Sequence, residues 1–189
     1  FLNGYGTGGT VYTNENYILV IQHPVTTEFN DAAFQIEQTI EAVKLFCKNK
    51  NYKAIWLWPN IDAGSDTFSK KIRMFKDSNP NFVRFIKNFT PEDYAKVMKN
   101  SKCVVGNSSS GIREASFLGI PSVNIGTRQS DRERGPNVKD VEYNKNKILK
   151  LISQQVGKKF KKSFIYGSGD AGKKIGKILS KTNFTINKK

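Results

Sequence analysis

The sequence has few of the residues that form metal and disulfide sites. It contains one histidine and two cysteines in 189 residues. Structural zinc sites use about four nitrogen or sulfur ligands, so we expect neither a zinc cluster nor another cofactor. Cys47 lies in a helical pattern and Cys103 in an apolar run, so both are expected to be buried thiols of a reducing compartment.

Long apolar runs are also absent. No stretch approaches the roughly 20 residues of a membrane span, and the first residues lack the basic start and apolar middle of a signal peptide. Hydrophobic residues make up 38% and charged residues 25% of the chain, which is typical of a soluble globular protein. We therefore expect a cytoplasmic protein of one domain without a membrane partner.

Acidic residues are scarce, and their scarcity is uneven. The chain has 31 Lys and Arg against 16 Asp and Glu, a net charge of +15. Residues 139–189 hold 14 lysines against three carboxylates, a net charge of +11. Such a segment attracts nucleic acid, a membrane surface or an anionic substrate, or it is simply a solvated face. It contains no arginine and its aromatic residues do not interleave regularly with the lysines, so nucleic acid is the weaker interpretation.

Apolar runs and helical periodicity alternate along most of the chain. Strands are predicted at residues 17–21, 54–58, 82–86, 103–105 and 122–125. Helices are predicted at residues 31–49, 66–76, 91–100, 145–155 and 170–181, with a short one between Ser108 and Gly119. This alternation predicts an α/β fold, a Rossmann-like parallel sheet with helices on both faces. Residues 17–182 form the predicted domain. The Gly-rich residues 1–16 are interpreted as a linker, tag or hinge stub outside the fold, and residues 183–189 as a basic tail.

Polar or aromatic residues follow the predicted strands. They are His23, Asn60, Phe89 and Ser108. Because ligands of parallel sheets bind beyond the carboxyl ends of the strands, we expect these residues to converge on one edge. His23 is interpreted as a donor to phosphate or a proton carrier, or as an ordinary core or surface histidine. Asn60 is interpreted as a site residue or as the cap of a turn.

Three serines crowd one predicted helix start. Ser108, Ser109 and Ser110 are followed by Gly111, and unpaired N–H groups at a helix start favour a phosphate-sized anion. Ordinary N-capping is the alternative. Glu114 falls in the first turn, where it either suits the helix dipole or binds sugar hydroxyls. Arg128 offers a fork of donors suited to phosphate oxygens.

Four blocks of sequence carry a family resemblance. NSSSGIRE followed by GIPSVNIGTRQSDRERGPNV, together with QHPVTTE, WPNIDAGS and YGSGDAGKKI, resembles the hydrolysing UDP-N-acetylglucosamine 2-epimerases. The serine-rich spelling of the central block favours the hydrolysing over the non-hydrolysing branch. The likeness runs from about Tyr17 to Leu179, yet it covers only the second half of such an enzyme.

The resemblance implies a fold, a ligand and a reaction. The family has two Rossmann-like halves in a glycosyltransferase-B-type (GT-B) architecture, and the second half holds UDP or a UDP-N-acetylhexosamine in the cleft. The reaction eliminates UDP from UDP-GlcNAc and adds water, which yields N-acetylmannosamine for sialic acid synthesis. The main acid and base carboxylates lie in the first half, so we expect this chain alone to be inactive and to need a missing N-terminal domain.

The resemblance also assigns roles to individual residues. Ser108, Ser109 and Arg128 match the diphosphate ligands and Glu114 the ribose ligand. The Phe89 backbone matches the uracil contact, and Tyr94 either flanks the uracil ring or is a core aromatic. His23 and Asn60 line the cleft near the diphosphate and sugar, with His23 the one catalytic candidate.

Other interpretations stay open. The sugar is either GlcNAc or a diacetamido analogue, and a homo-oligomer is an open question. The other candidate functions are half of a nucleotide-sugar glycosyltransferase and a basic nucleic-acid-binding module.

Overall fold

A seven-stranded sheet forms the centre of the protein. The structure, a computed structural model, describes residues 2–60, 63–78 and 80–182. The strand order is β1-β4-β3-β2-β5-β6-β7, with β1 antiparallel to β4 and every other neighbouring pair parallel. The strands are β1 (Thr7–Gly8), β2 (Tyr17–Ile21), β3 (Lys53–Leu57), β4 (Val83–Ile86), β5 (Val104–Gly106), β6 (Ser122–Ile125) and β7 (Val138–Val141).

Helices cover both faces of the sheet, as the alternating pattern predicts. They are α1 (Ala32–Lys50), α2 (Ser65–Asp77), α3 (Pro91–Asn100), α4 (Glu114–Leu118), α5 (Lys145–Gln155) and α6 (Ala171–Leu179). Helices α1, α2 and α5 bury their apolar side chains on one face, and α3 and α4 on the other. Helix α6 buries none of its residues. None of the described helices is long and apolar enough to cross a membrane.

Local sequence explains where several elements begin and end. All five residues of β2 are buried, which accounts for its unbroken apolar run. The hydroxyl of Thr90 accepts the backbone N–H of Asp93 at 3.3 Å, and Pro91 occupies the first turn of α3. Gly119 ends α4 in the left-handed conformation at φ 70°. These three predictions are confirmed.

The opening segment was predicted to belong to no fold element, and this prediction was wrong. Its Thr7–Gly8 pairs with β4, and Leu2 and Val11 are 3% and 0% exposed. The Arg84 side chain donates to the carbonyl of Tyr5 at 2.7 Å. A glycine-rich segment lacks periodicity, yet its backbone still completes the edge of a sheet. Its interpretation as a linker, tag or hinge stub stays a prediction.

The serines do not begin a helix, contrary to the sequence prediction. Ser109 and Ser110 lie in a 3-10 turn, Ser109–Gly111, which Ser108 caps, and α4 begins only at Glu114 and lasts five residues. Serine side chains bond to nearby backbone and so compete with the helical hydrogen bonds. The sequence pattern also misses β7. The predicted basic tail at 183–189 lies outside the described residues.

Candidate functional site

The chain changes direction across the sheet between β2 and β5. It starts the parallel sheet at β2, adds β3 and β4 on one side, and then returns to place β5 on the other side of β2. Ligands of such sheets bind at this switch point, beyond the carboxyl ends of the strands. His23 follows β2 and Asn107 follows β5. Both residues therefore lie at the position where this topology favours a ligand.

Asn107 holds the loop that carries His23. Its side-chain oxygen accepts the backbone N–H of His23 at 2.8 Å, and its amide nitrogen donates to the His23 carbonyl at 2.8 Å. The Nδ1 atom of His23 accepts the backbone N–H of Asn60 at 3.1 Å. Since Nδ1 is an acceptor, the neutral ring carries its proton on Nε2. The structure thus brings His23 and Asn60 together and fixes the ring of a residue that is 7% exposed.

The same asparagine connects this loop to the loop after β6. Its backbone carbonyl accepts Nε2 of Gln129 at 2.8 Å and Nη1 of Arg128 at 3.4 Å. On the far side, the Thr127 hydroxyl donates to the Glu28 carboxylate, whose other oxygen accepts Nε2 of Gln35 at 2.6 Å. These contacts place the Arg128 guanidinium beside the His23 loop.

A polar cleft lies within this arrangement. It has a volume of about 400 Å³, and its walls come from the loop after β2 and the loop after β6. Its lining residues are Pro24, Val25, Thr26, Thr27, Glu28, Thr127 and Arg128. Hydroxyl, carboxylate and guanidinium groups together suit a ligand with both hydroxyls and anionic oxygens.

The serine turn directly follows Asn107 in the chain, and a side-chain contact connects it to α3. The Ser108 hydroxyl accepts the backbone N–H of Ser110 at 3.4 Å, and the two hydroxyl oxygens are 2.9 Å apart. The Ser110 hydroxyl lies 2.5 Å from that of Tyr94. Burial raises the pKa of Tyr94 to about 12, and the phenol, like that of an ordinary tyrosine, is protonated at neutral pH. Ser110 is 8% exposed, whereas Ser108 and Ser109 are half-buried and more accessible to a ligand.

Gly111 has a packing role in this turn. It is buried, and a Cβ added to it would lie 2.8 Å from the Ser122 hydroxyl on β6. The absence of a side chain therefore lets the turn pack closely on the sheet. The expectation that Gly111 contributes to an anion site stays a prediction.

Tyr94 and Glu114 line a second, larger cleft beside the serine turn. This cleft has a volume of about 590 Å³ and lies between α3, α4 and residues 163–169. Pro91, Met98 and Phe117 contribute apolar walls. Glu114 is exposed at the start of α4, which leaves its carboxylate accessible to hydroxyl donors. The cleft thus combines apolar and aromatic surface with a carboxylate, as nucleoside sites often do.

Phe89 lies at the end of β4, in the loop before α3. Its ring is 8% exposed and contacts the ring of Tyr5, with centroids 5.2 Å apart. Its backbone N–H donates to Oδ1 of Asn88 at 2.9 Å. The Tyr5 hydroxyl donates to the Asp93 carboxylate at 2.8 Å. The N-terminal segment therefore supports the loop that the sequence analysis assigned to uracil.

Sequence reasoning overlooked two features of this edge. The sequence pattern did not predict that Asn107 connects the loops at this edge. An asparagine after a glycine at the end of a strand is nevertheless typical of a residue that stabilises a turn. Nothing in the sequence pattern predicted the contact between Glu28 and Thr127. In the described parts of the chain no group of three or more His, Cys, Asp or Glu side chains is arranged to hold a metal ion.

Solved structures share this fold. The structure of UDP-GlcNAc 2-epimerase from Neisseria meningitidis bound to UDP-GlcNAc superposes with a TM-score of 0.70 at 18% sequence identity. The match covers 91% of this chain and 46% of that chain. The fold is therefore that of a Rossmann-like α/β domain, one half of a GT-B architecture.

The family follows from the sequence comparison. The protein-family model described as UDP-N-acetylglucosamine 2-epimerase matches residues 5–180, and the chain belongs to this family.

Two curated relatives agree with this membership. A Legionella pneumophila UDP-N,N'-diacetylbacillosamine 2-epimerase (hydrolyzing) is 35% identical over 162 residues, which cover 85% of this chain and 41% of the relative. The Escherichia coli polysialic acid biosynthesis protein P7 is 33% identical over 146 residues, or 77% of this chain and 36% of the relative. The chain thus spans about two fifths of the length of the curated relatives that it matches.

Proposed function

We propose that this chain is the UDP-binding half of a hydrolysing UDP-N-acetylglucosamine 2-epimerase. The observation that carries the proposal is the convergence at the β2–β5 switch point of the His23 loop, the Arg128 loop and the serine turn. Family membership supports nucleotide-sugar chemistry. One of the two curated relatives is named as a hydrolysing enzyme, which supports that branch.

Each group of the nucleotide has a candidate partner. The diphosphate is assigned to Ser108, Ser109 and Arg128, since hydroxyl and guanidinium donors bind anionic oxygens strongly. The ribose is assigned to Glu114, a charged acceptor for its hydroxyls. The uracil ring is assigned to the cleft beside Tyr94, with the Phe89 backbone as its polar contact.

His23 and Asn60 are assigned to the boundary between diphosphate and sugar. With its Nδ1 bonded to the Asn60 backbone, His23 presents Nε2–H as a donor. Such a donor stabilises charge that develops on the departing UDP. The products proposed are UDP and N-acetylmannosamine or its diacetamido analogue, the latter because the Legionella relative is named for such a sugar. We propose sialic acid-type sugar synthesis as the use of the product, which the name of the Escherichia coli relative supports.

A ligand titration tests the binding half of this proposal. UDP, UMP, uridine and a random oligonucleotide are titrated by calorimetry at two salt concentrations. We expect saturable binding at one site in the order UDP, UMP, uridine. The competing explanation is nucleic-acid binding by the lysine-rich residues 139–189. A steep salt dependence of the affinity without preference for uridine would identify nucleic-acid binding instead.

A turnover assay tests the catalytic part of the proposal. We propose that catalysis needs a second domain, because the described residues at the site contain no carboxylate pair suited to acid and base roles. This chain incubated with UDP-GlcNAc is expected to release no UDP above background. The same chain joined to a matching first half of roughly 150 to 200 residues, about one more domain, is expected to release UDP and form N-acetylmannosamine. Turnover by the 189 residues alone would contradict the proposal.

A further inference from the structure

A separate cleft opens at the carboxyl ends of β3 and β4, on the side of the sheet where β1 lies. It has a volume of about 460 Å³ and lies where residues 4–7, the ends of β3 and β4, and helix α2 meet. Small-molecule sites commonly have volumes of about 300 to 1,000 Å³. Ser108, Glu114 and Arg128 do not line it, so an occupant here would be distinct from the proposed UDP.

Three aromatic side chains line this cleft. They are Tyr5, Trp58 and Phe85. The Trp58 side chain is half-buried against the core, whereas its neighbour on the strand, Trp56, is 0% exposed. Tyr5 is also half-buried, whereas Phe85 is only 3% exposed. The partly exposed faces of Tyr5 and Trp58 in a concave surface favour stacking with a planar ring.

Three cations rim the same cleft. Arg73 and Lys76 are three residues apart on α2 and so share one side of the helix, and Lys87 follows β4. None of the three makes an ion pair with a carboxylate of the described chain, whereas Lys71 on the same helix pairs with Glu37 at 3.1 Å. No Asp or Glu of the described residues lines the cleft. The described lining of this cleft therefore carries three cationic side chains and no carboxylate.

We propose that this cleft binds an organic anion with a planar ring, of the size of a nucleoside monophosphate. Tyr5 and Trp58 receive the ring, and the Arg73 fork and the two ammonium groups receive the phosphate or carboxylate. The proposal does not rest on the proposed function, because none of the aromatic and basic residues that it uses is assigned to UDP; Tyr5 connects the two places through its contact with Phe89. The lining gives no pattern of donors and acceptors that would select one base.

Adenosine monophosphate is a suitable probe because it carries both a large ring and a phosphate. It is titrated against the full chain in the presence of saturating UDP, and inorganic phosphate and adenosine are titrated separately. We expect adenosine monophosphate to bind more tightly than either part. The indole N–H signal of Trp58 in ¹⁵N-labelled protein is expected to shift on binding, while that of the buried Trp56 shifts less.

Substitutions in the cleft lining test where the probe binds. The triple variant Arg73→Gln, Lys76→Gln and Lys87→Gln is expected to lose about tenfold or more in affinity, since exposed charge pairs each contribute modestly. Trp58→Leu is expected to weaken the probe but not inorganic phosphate. Lys70→Gln lies on the same helix but outside the cleft lining and is expected to leave the affinity unchanged.

Three results would overturn the proposal. The first is equal affinity of the triple variant and Lys70→Gln for the probe, which identifies the rim as an ordinary solvated surface. The second is displacement of the probe by UDP, which assigns it to the other site. The third is an unmoved Trp58 signal at saturation.

Discussion

The Thr127 hydroxyl donates a hydrogen bond to the carboxylate of Glu28, although the two residues are 99 positions apart. Glu28 belongs to the loop after β2 and Thr127 to the loop after β6, so the contact bridges over β5. Arg128 follows Thr127 directly. We infer that Glu28, through Thr127, positions Arg128 for an anionic ligand.

This relationship predicts a phosphate-dependent loss of affinity. Glu28→Ala is expected to weaken UDP several-fold while uridine binding changes little, because only the diphosphate uses Arg128. It should also lower the free energy of unfolding by about 1 to 3 kcal/mol, since the buried Gln35 amide loses its acceptor. Calorimetric titration and urea unfolding measure the two effects. Glu41→Ala, which removes a half-buried carboxylate on α1 that pairs with Lys44 at 2.8 Å, is the control, and an equal loss for UDP and uridine would argue against positioning.

The serine turn predicts a second difference between ligands. Ser108→Ala or Ser109→Ala is expected to weaken UDP more than UMP, because a hydrogen bond to a charged oxygen contributes about 1.5 to 3 kcal/mol. Ser153→Ala, which removes an exposed hydroxyl on α5, should change neither affinity. Equal effects on UDP and UMP would show that these hydroxyls do not bind the second phosphate.

Glu114 is predicted to recognise ribose. Glu114→Gln keeps the size of the side chain but removes the charged acceptor, so UDP affinity should fall and the preference for UDP over 2'-deoxy-UDP should shrink. The melting temperature of the free protein should stay constant, because the side chain is exposed. A shifted melting temperature with unchanged affinity would leave Glu114 as a helix-start residue only.

Asn107 is predicted to be essential for the stability of the site. Asn107→Ala removes the hydrogen bonds to the backbone N–H and carbonyl of His23, and a buried polar group that loses its hydrogen bond costs roughly 1 to 3 kcal/mol. We expect the free energy of unfolding to fall by about 2 kcal/mol or more, as measured by urea denaturation. Asn100→Ala removes an exposed amide that bonds within α3 and should cost far less. Comparable losses in the two variants would mean that the Asn107 bonds are not formed.

The contact between Tyr5 and Asp93 predicts a pH dependence. The hydrogen bond from Tyr5 holds the pKa of Asp93 below its usual value. A carboxyl group whose pKa is lowered by folding stabilises the protein above its unfolded pKa of about 3.9, and the contribution is lost as pH falls through the folded pKa. The stability difference between the wild type and Tyr5→Phe should therefore be largest near neutral pH and shrink in acid. Tyr12→Phe, an exposed tyrosine, is the control, and a difference that is constant with pH would refute the charge effect.

Local pattern alone predicted most of the helices and strands. The apolar run at Tyr17–Ile21, the cap at Thr90 and the glycine end at Gly119 each act within a few residues of themselves, so sequence order is enough to identify them. The expectation that His23 and Asn60 meet at one edge also followed, because parallel strands place their carboxyl ends together. The family resemblance added the identity of the fold.

Only the tertiary structure decided which residues hold this edge together. The clamp of Asn107 on His23 spans 84 positions and the contact of Glu28 with Thr127 spans 99, and no local pattern encodes partners so far apart. The same holds for the N-terminal segment, where Leu2 and Val11 are buried and Thr7–Gly8 pairs with β4 despite the absence of periodicity. Short-range preference determines what each segment becomes, whereas the order of the strands determines which loops are neighbours.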